Sequence, residues 1–357
     1  MSRSLIYRYR ALCFLLVLFC FPQRFATRNL PEAEQIIHVS NNTWHDFSRL
    51  VDVQVGSHVS GVSELKRYLH RFGYVGDDGS ESFSDVFDGS LESAISLYQE
   101  NLGLPITGRL DTSTVTLMSL PRCGVSDTHM IVNDDGNHTT AHYTLMNGKP
   151  KWNRDTLTYA ISKTHKLDYL TSEDVKTVVR RAFSQWASVI PVSFKEVDDF
   201  TAADLKIGFY SGDHGDGSPF DGVSGKLAHA FAPEDGRLHF DAGETWVVDD
   251  DFKRAPELAF DLESVATHEI GHLLGLGHSS QESAVMYPSM RPRTKKVDLT
   301  ADDVVGVLKL YGPNPKLRLD SLTRSEGSIH NGSVSLRFLS GNFIGYVLLV
   351  VVFILFQ

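Results

Sequence analysis

Apolar positions recur at helical spacing twice in the first third of the chain. Leu65, Tyr68, Leu69 and Phe72 form one stripe, and Leu91, Ile95, Tyr98 and Leu102 form a second. Residues three and four apart share a helix face, so each stripe predicts an amphipathic helix. Asp111 reads as the N-cap of a third helix, which must end before Pro121. Residues from about 55 to 120 therefore form a small helical module. From about Tyr143 to Gly312 the period alternates between 2 and 3.6. Leu157 to Ile161 reads as a strand, and Thr171 caps a long helix with apolar positions Val175, Val178, Val179, Ala182, Phe183 and Trp186. Leu205, Ile207 and Phe209 alternate as a strand, and Leu227 to Phe231 and Leu238 to Phe240 give two shorter ones. A helix through His268 and His272 follows, and a last one runs from the Thr300 cap to Tyr311. The expectation is an α+β domain, a sheet with helices packed on it and long enough for a real core.

Two further apolar runs lie at the ends. Ala11 to Phe21 follows Arg3, Arg8 and Arg10 and is too short to span a bilayer comfortably. That layout predicts a secretory signal over residues 1–26, with cleavage between Pro22 and Arg28. Phe343 to Phe356 is apolar with nothing basic after it, whereas a membrane span wants about 20 residues and a positive flank. Small residues around Ser328 to Ser333, a polar spacer and a short greasy terminus match a glycosylphosphatidylinositol attachment signal. Asn331, Ser333 and Ser328 are the candidate attachment residues, after a linker over 313–333 and before a removed tail over 334–357. The location expected is the outer face of the plasma membrane; a short span or an unprocessed tail is the competing reading.

The 357 residues carry 44 acidic and 34 basic side chains, a net charge of −10, with no Lys/Arg block. Nucleic acid is thereby a poor partner, and the acidic balance suits bound cations. Of three cysteines, Cys13 and Cys20 fall in the expected signal. Cys123 is then the only thiol of a secreted chain, with no disulfide partner, and a metal would give it an occupation. The sequons at Asn41, Asn137 and Asn331 agree with secretion and mark candidate glycosylation sites.

The densest chemistry is His268 to His278, HEIGHLLGLGH. His268 and His272 stand four apart on one helix face, and Gly275 can turn the chain in the left-handed conformation to bring His278 round as a third ligand. Three protein ligands leave one position open on zinc, where water becomes acidic enough to react at neutral pH. Glu269 stands beside them as a general base. The competing reading, a helix with histidines on one face by chance, does not account for the full HExxHxxGxxH spacing or for Met286 in Val285-Met-Tyr-Pro288. On these residues the chain resembles the metzincin zinc endopeptidases, and Ser279 after the third histidine resembles their matrixin branch, the matrix metalloproteinases.

The resemblance covers about Val55 to Gly312. It implies a mixed twisted sheet with three helices for the catalytic domain over 143–312, with Met286 packed beneath the metal. Gly103-Leu-Pro-Ile-Thr-Gly-Arg-Leu-Asp111 resembles the three-helix peptidoglycan-binding-like fold of matrixin pro-domains, within a propeptide over 27–142. Pro121-Arg-Cys-Gly-Val-Ser-Asp127 is similar to the matrixin cysteine switch over 121–128, in which the Cys123 thiolate fills the open zinc position. Arg122 and Asp127 are expected to pair, the alternative being a solvated pair worth almost nothing. The polar segment Met130 to His142 is expected to hold the activating cut, near Tyr143.

Between His214 and Glu244, His214, Asp216, His229 and His239 supply three imidazoles and a carboxylate, a full tetrahedral set for a structural zinc. Asp221, Asp241 and Glu244, with backbone carbonyls of Gly222, Ser224 and Lys226, offer the hard oxygens calcium takes. Asp204 resembles a ligand of a second calcium site, although the segment between His229 and His239 is shorter than usual in the family. Asp302 and Asp303 resemble the acidic pair that receives a freshly cut N-terminus. Leu227 to Ala230 is the edge expected to align an extended substrate, beside a primed-side pocket floored by Pro288 to Pro292 and selecting an apolar side chain. The function implied is a latent, monomeric zinc endopeptidase acting on extracellular proteins or peptides after an activating protease cuts it. After Gly312 the chain departs from members with a propeller domain and is similar to the hemopexin-less plant type, so collagen cleavage is not implied. A catalytically silent zinc-binding adhesion protein would need neither Glu269 nor an inhibitory thiol. A wall-binding role for residues 55–120 is the other rival.

Overall fold

The computed structural model describes residues 46–315 apart from 77–81, 129, 133–140, 249–251 and 253. The expected signal, the sequons at Asn41, Asn137 and Asn331, and the attachment candidates Ser328, Asn331 and Ser333 lie outside the described residues.

The first module contains helices α1 (Val62–Arg71), α2 (Gly89–Asn101) and α3 (Thr112–Met118). Asp88 and Asp111 cap the second and third by accepting the Leu91 and Thr114 amides, each satisfying a donor the helix cannot satisfy itself. The stripes meet: Leu65, Tyr68, Leu69, Phe72, Leu91, Ile95, Tyr98 and Leu102 form one buried core. Tyr287, from the other end of the chain, is inserted into that core, and its hydroxyl donates to the Leu102 carbonyl.

The larger part holds helices α4 (Ser172–Val189), α5 (Leu262–Leu273) and α6 (Ala301–Tyr311). Its main sheet contains β3 (Thr156–Ile161), β4 (Ser193–Glu196), β5 (Leu205–Tyr210), β6 (Ala228–Ala230) and β7 (Arg237–Asp241) in the order β4-β3-β5-β7-β6. The first four are parallel and β6 runs antiparallel at the edge, which makes the sheet mixed. Two small sheets accompany it. One joins β1 (Met130–Val132), β2 (Tyr143–Met146) and β10 (Leu276–Ser279), all antiparallel, and the other pairs β8 (Thr245–Val247) with β9 (Ala259–Asp261).

Helix α5 is buried on every side, unlike an ordinary amphipathic surface helix. Asp261 caps it by accepting the Ser264 amide, and the Trp186 indole of α4 donates to the Thr267 carbonyl within it. Burial of large apolar side chains such as Trp186, Phe183 and Phe240, at about 1.5–3 kcal/mol each, rather than helix propensity, fixes its place. Thr300 and Asp303 make a reciprocal capping box on α6.

One expectation needs correction. Met130 to Val132 is not an exposed polar stretch but the strand β1, paired with β2 from Met130 opposite Met146 to Val132 opposite Thr144. Tyr143 is buried in the core, so a chain cut at that residue itself would have to be peeled out of the sheet first.

Candidate metal centre

Helix α5 presents His268 and His272 on one face. At its end Gly275 adopts φ +97°, and a side chain there would strike the Pro150 carbonyl oxygen at 2.2 Å. That turn carries the chain into β10 and brings His278 back over the helix. The Nε2 atoms of His268 and His278 each lie 3.1 Å from that of His272, and the Cys123 sulfur lies 3.4 Å from the same atom. All four ligand atoms fall within 4.8 Å of one another.

The second nitrogen of each ring decides what this cluster can hold. His268 Nδ1 is 2.7 Å from the Val285 carbonyl oxygen, His272 Nδ1 is 2.9 Å from that of Leu276, and His278 Nδ1 is 2.6 Å from Asp127 Oδ1. Each of these acceptors requires the proton on Nδ1, which leaves three Nε2 lone pairs converging with no proton between them. Burial pushes all three imidazoles below their usual range and pushes the Cys123 thiol well up, so the protein alone supplies no compensating positive charge. A divalent cation removes the conflict, and three nitrogens with one sulfur suit zinc.

Glu269 is fully buried next to this cluster, with neither carboxylate oxygen hydrogen-bonded to a protein donor. Burial pushes its carboxyl up to about 8. Met286 lies against the other side of the helix, where a side chain on Gly271 would meet its sulfur at 2.3 Å. The Asp303 carboxylate accepts the Val285 and Met286 amides at 3.0 Å each, so the methionine turn is tied to α6.

The switch loop fills the cleft as an extended strand bonded on both sides. Arg122 donates its amide to the Gly225 carbonyl and accepts from Leu227, and Gly124 donates to Ala228. On the opposite side the Cys123 amide donates to Pro288, and the Pro121 carbonyl accepts from Met290. These are the edge and the turn expected to hold a substrate backbone. Arg122 and Asp127 are not the solvated pair offered as the alternative. The guanidinium is fully buried, stacks 3.8 Å over Phe72, stands among Tyr68, Tyr74 and Tyr98, and donates to Asp127 at 2.7 and 2.8 Å. Breaking one side of such a pair costs about 3–5 kcal/mol, well above a surface bridge.

A second cluster gathers at the edge of the main sheet. Asp216 Oδ2 lies 2.8 Å from His214 Nε2, 2.7 Å from His229 Nε2 and 2.9 Å from His239 Nδ1. His214 Nδ1 sits 2.9 Å from the Gly212 carbonyl oxygen, so in the neutral ring its Nε2 lone pair faces a carboxylate oxygen, an arrangement only a cation makes favourable. Burial pushes His229 and His239 down to about 4, which keeps both neutral and able to ligate.

Nearby, Asp221 accepts the Lys226 amide, Asp241 accepts those of Gly222 and Gly243, and Glu244 accepts that of Gly225. Burial, with Asp241 and Asp221 adding to it, pushes Glu244 up to about 8, and its Oε2 is buried without a hydrogen-bond partner. Ser224 holds φ +66° in this loop, a conformation costing a non-glycine residue about 1–3 kcal/mol. Crowded carboxylates in a strained loop fit a calcium ion drawing the loop together. Asp221 Oδ2 also pairs with Arg71 of α1 at 3.1 Å. Asp204 does not have the free oxygens a calcium ligand needs. Its Oδ1 pairs with Arg154 and its Oδ2 accepts the Thr158 amide and hydroxyl, so it fastens β5 to β3 instead.

Asp302 accepts the His142 amide at 2.9 Å and the Ser279 hydroxyl at 2.7 Å, next to the start of β2. A small cavity beside α5 is lined by Leu227, Val265, Tyr287, Pro288, Met290 and Lys296, matching the position expected for the primed-side pocket. Sequence reasoning did not anticipate Lys296 at its wall, the aromatic box around Arg122, or the contact of Asp127 with His278. No spacing signal connects Asp127 to a residue so far along the chain, and only docking of the two parts brings them together.

Comparison with known proteins places these features in a lineage. Residues 151–312 match the family model described as "Matrixin", and residues 58–118 match one described as "Putative peptidoglycan binding domain". The chain is 84% identical to Metalloendoproteinase 1-MMP of Arabidopsis thaliana, with 100% of each chain covered. It is 48% identical to Metalloendoproteinase 1 of Glycine max over 73% of this chain and 85% of the relative. It is 39% identical to Matrilysin of Rattus norvegicus over 71% and 86%.

Proposed function

Because the chain belongs to the matrixin family and is a zinc metalloendopeptidase with zinc and calcium as cofactors, we propose that His268, His272 and His278 hold its catalytic zinc and that Glu269 is the general base. The observation that carries this reading is the convergence of three Nε2 lone pairs, each fixed by an acceptor on Nδ1. When bound, the metal supplies Lewis acidity, polarising the scissile carbonyl and lowering the pKa of a water to about 7. Glu269 takes the proton of the attacking water and passes it to the leaving amine. Opening the cleft relieves the desolvation that holds this carboxyl up, so that it can act ionised. Backbone groups of Gly225, Leu227, Ala228, Pro288 and Met290, which bond the switch loop, become free to align an extended peptide without selecting its sequence. Selection falls to the cavity beside α5, which favours an apolar side chain on the primed side.

Cys123 fills the fourth ligand position of the precursor, supported by the sulfur's place in the cluster. His214, Asp216, His229 and His239 hold the structural zinc, and Asp221, Asp241 and Glu244 with the carbonyls of Gly222, Ser224 and Lys226 hold calcium. The activating cut falls between Val132 and His142, ahead of the buried Tyr143, and Asp302 stands ready beside the new N-terminus. A test is cleavage of an unstructured peptide library by the full-length chain after activation, with metal content measured on the same sample. Cuts ahead of apolar residues, two zinc ions and at least one calcium per chain are expected; indifference to the primed-side residue would remove the pocket assignment.

The enzyme acts outside the cell, on extracellular proteins, held to the plasma membrane by a glycosylphosphatidylinositol anchor. The sequence of the C-terminal region supports this, and no helix among the described residues is long and apolar enough to cross a membrane. Phosphatidylinositol-specific phospholipase C should release the protein from membranes of expressing cells. Retention after complete phospholipase treatment would rule the anchor out.

A further inference from the structure

The three histidines of the catalytic cluster differ in who holds them. His268 and His272 direct Nδ1 to the Val285 and Leu276 carbonyls, both within the catalytic domain. His278 directs Nδ1 to Asp127, 2.6 Å away in the pro-segment, and its amide donates to the sulfur of Met130 at 2.9 Å, also in the pro-segment. Both partners lie ahead of the proposed cut. We infer that Asp127 is a positioning residue for His278 that exists only in the precursor, so that activation loosens the hold on zinc beyond the loss of the thiolate. The inference rests on His278 being a zinc ligand and on removal of the pro-segment.

The chemistry of the contact supports a direct role. A carboxylate accepting Nδ1–H fixes the ring orientation and makes the opposite nitrogen a stronger donor; removing such a partner typically weakens metal binding about 10–100-fold. Asp127 is suited to the task because it stays ionised inside the protein. Burial pushes its carboxyl up, but the Arg122 guanidinium and the His278 ring overcome this and hold it well below the usual range, with the Tyr74 hydroxyl donating to Oδ2 at 2.7 Å. The rival account is that Asp127 serves only to pair Arg122 and fold the switch loop.

The two accounts separate in the rate at which the full-length precursor gives up zinc to a chromogenic chelator, with His268→Ala identifying the release phase that belongs to this site. Asp127→Asn removes the His278 partner, whereas Arg122→Met disturbs the loop and leaves that partner in place. Release from Asp127→Asn should be at least fivefold faster than from both the parent chain and Arg122→Met; any smaller difference overturns the inference. The Nδ1 proton of His278 should be seen far downfield in parent and Arg122→Met precursors, and its absence from both would overturn it equally. Should Asp127→Asn fail to fold, Cys123→Ser chains before and after pro-segment removal decide, because neither carries the thiolate. Zinc release should again be at least fivefold faster after removal, and equal rates would overturn the inference. A Cys123→Ser precursor releasing zinc at the parent rate would instead remove the thiolate assignment, and an unchanged His278→Ala precursor would remove the ligand assignment.

Discussion

Substituting Glu269 with alanine should lower kcat/KM by about 10²–10⁴-fold while leaving zinc bound. The carboxylate does not belong to the four-atom ligand cluster, so its loss leaves the metal donors intact. What disappears is the group that moves a proton from water to the leaving amine, a need that arises only on the way to the transition state. The fall should therefore lie in kcat, with KM little changed. Glu269→Gln, which keeps the shape, should be nearly as inactive. Because the carboxylate is buried without a hydrogen-bond partner, neither variant should unfold the protein. Metal analysis and steady-state kinetics on the activated chain check this. Turnover within tenfold of the parent would show that some other group carries the proton.

Replacing Cys123 with serine should give a precursor that cleaves peptides before it is cut. A neutral hydroxyl is a far weaker zinc ligand than a thiolate, so the fourth position opens to water. Latency should not vanish entirely, because the backbone bonds of residues 121 to 124 to Gly225, Leu227, Ala228, Pro288 and Met290 do not involve the sulfur. Each 1.4 kcal/mol lost from the closed state raises the open fraction tenfold, so a rise of at least about tenfold over the parent precursor is expected. Initial rates taken while a gel still shows intact precursor measure it. Latency equal to the parent would contradict the role of the thiolate.

Local rules made much of the architecture legible. The stripes through Leu65 to Phe72 and Leu91 to Leu102 became α1 and α2, and the capping roles of Asp111, Thr171 and Thr300 are met by hydrogen bonds to the third residue of each helix. Such signals survive in one dimension because helix geometry ties neighbours three and four apart. Elements whose partners are distant were not legible. β4 carries half-exposed residues with no apolar run, and β1 is a polar-looking stretch that becomes a strand only against β2. Asp204 shows the opposite failure, an acid whose family likeness suggested calcium but whose neighbours Arg154 and Thr158 claim both oxygens.

The sequence by itself determined the catalytic chemistry, since His268, Glu269, His272 and His278 are close along the chain and one helix and one glycine turn suffice to gather them. It also singled out Cys123 by subtraction. Only the tertiary structure decided how that cysteine is held. Arg122 is fixed in the aromatic box of the helical module, Asp127 reaches His278, and Tyr287 is drawn into the core of the same module. These contacts join residues separated by most of the chain. Their energy comes from removing charges and rings from water between two surfaces, which no local pattern of residues encodes.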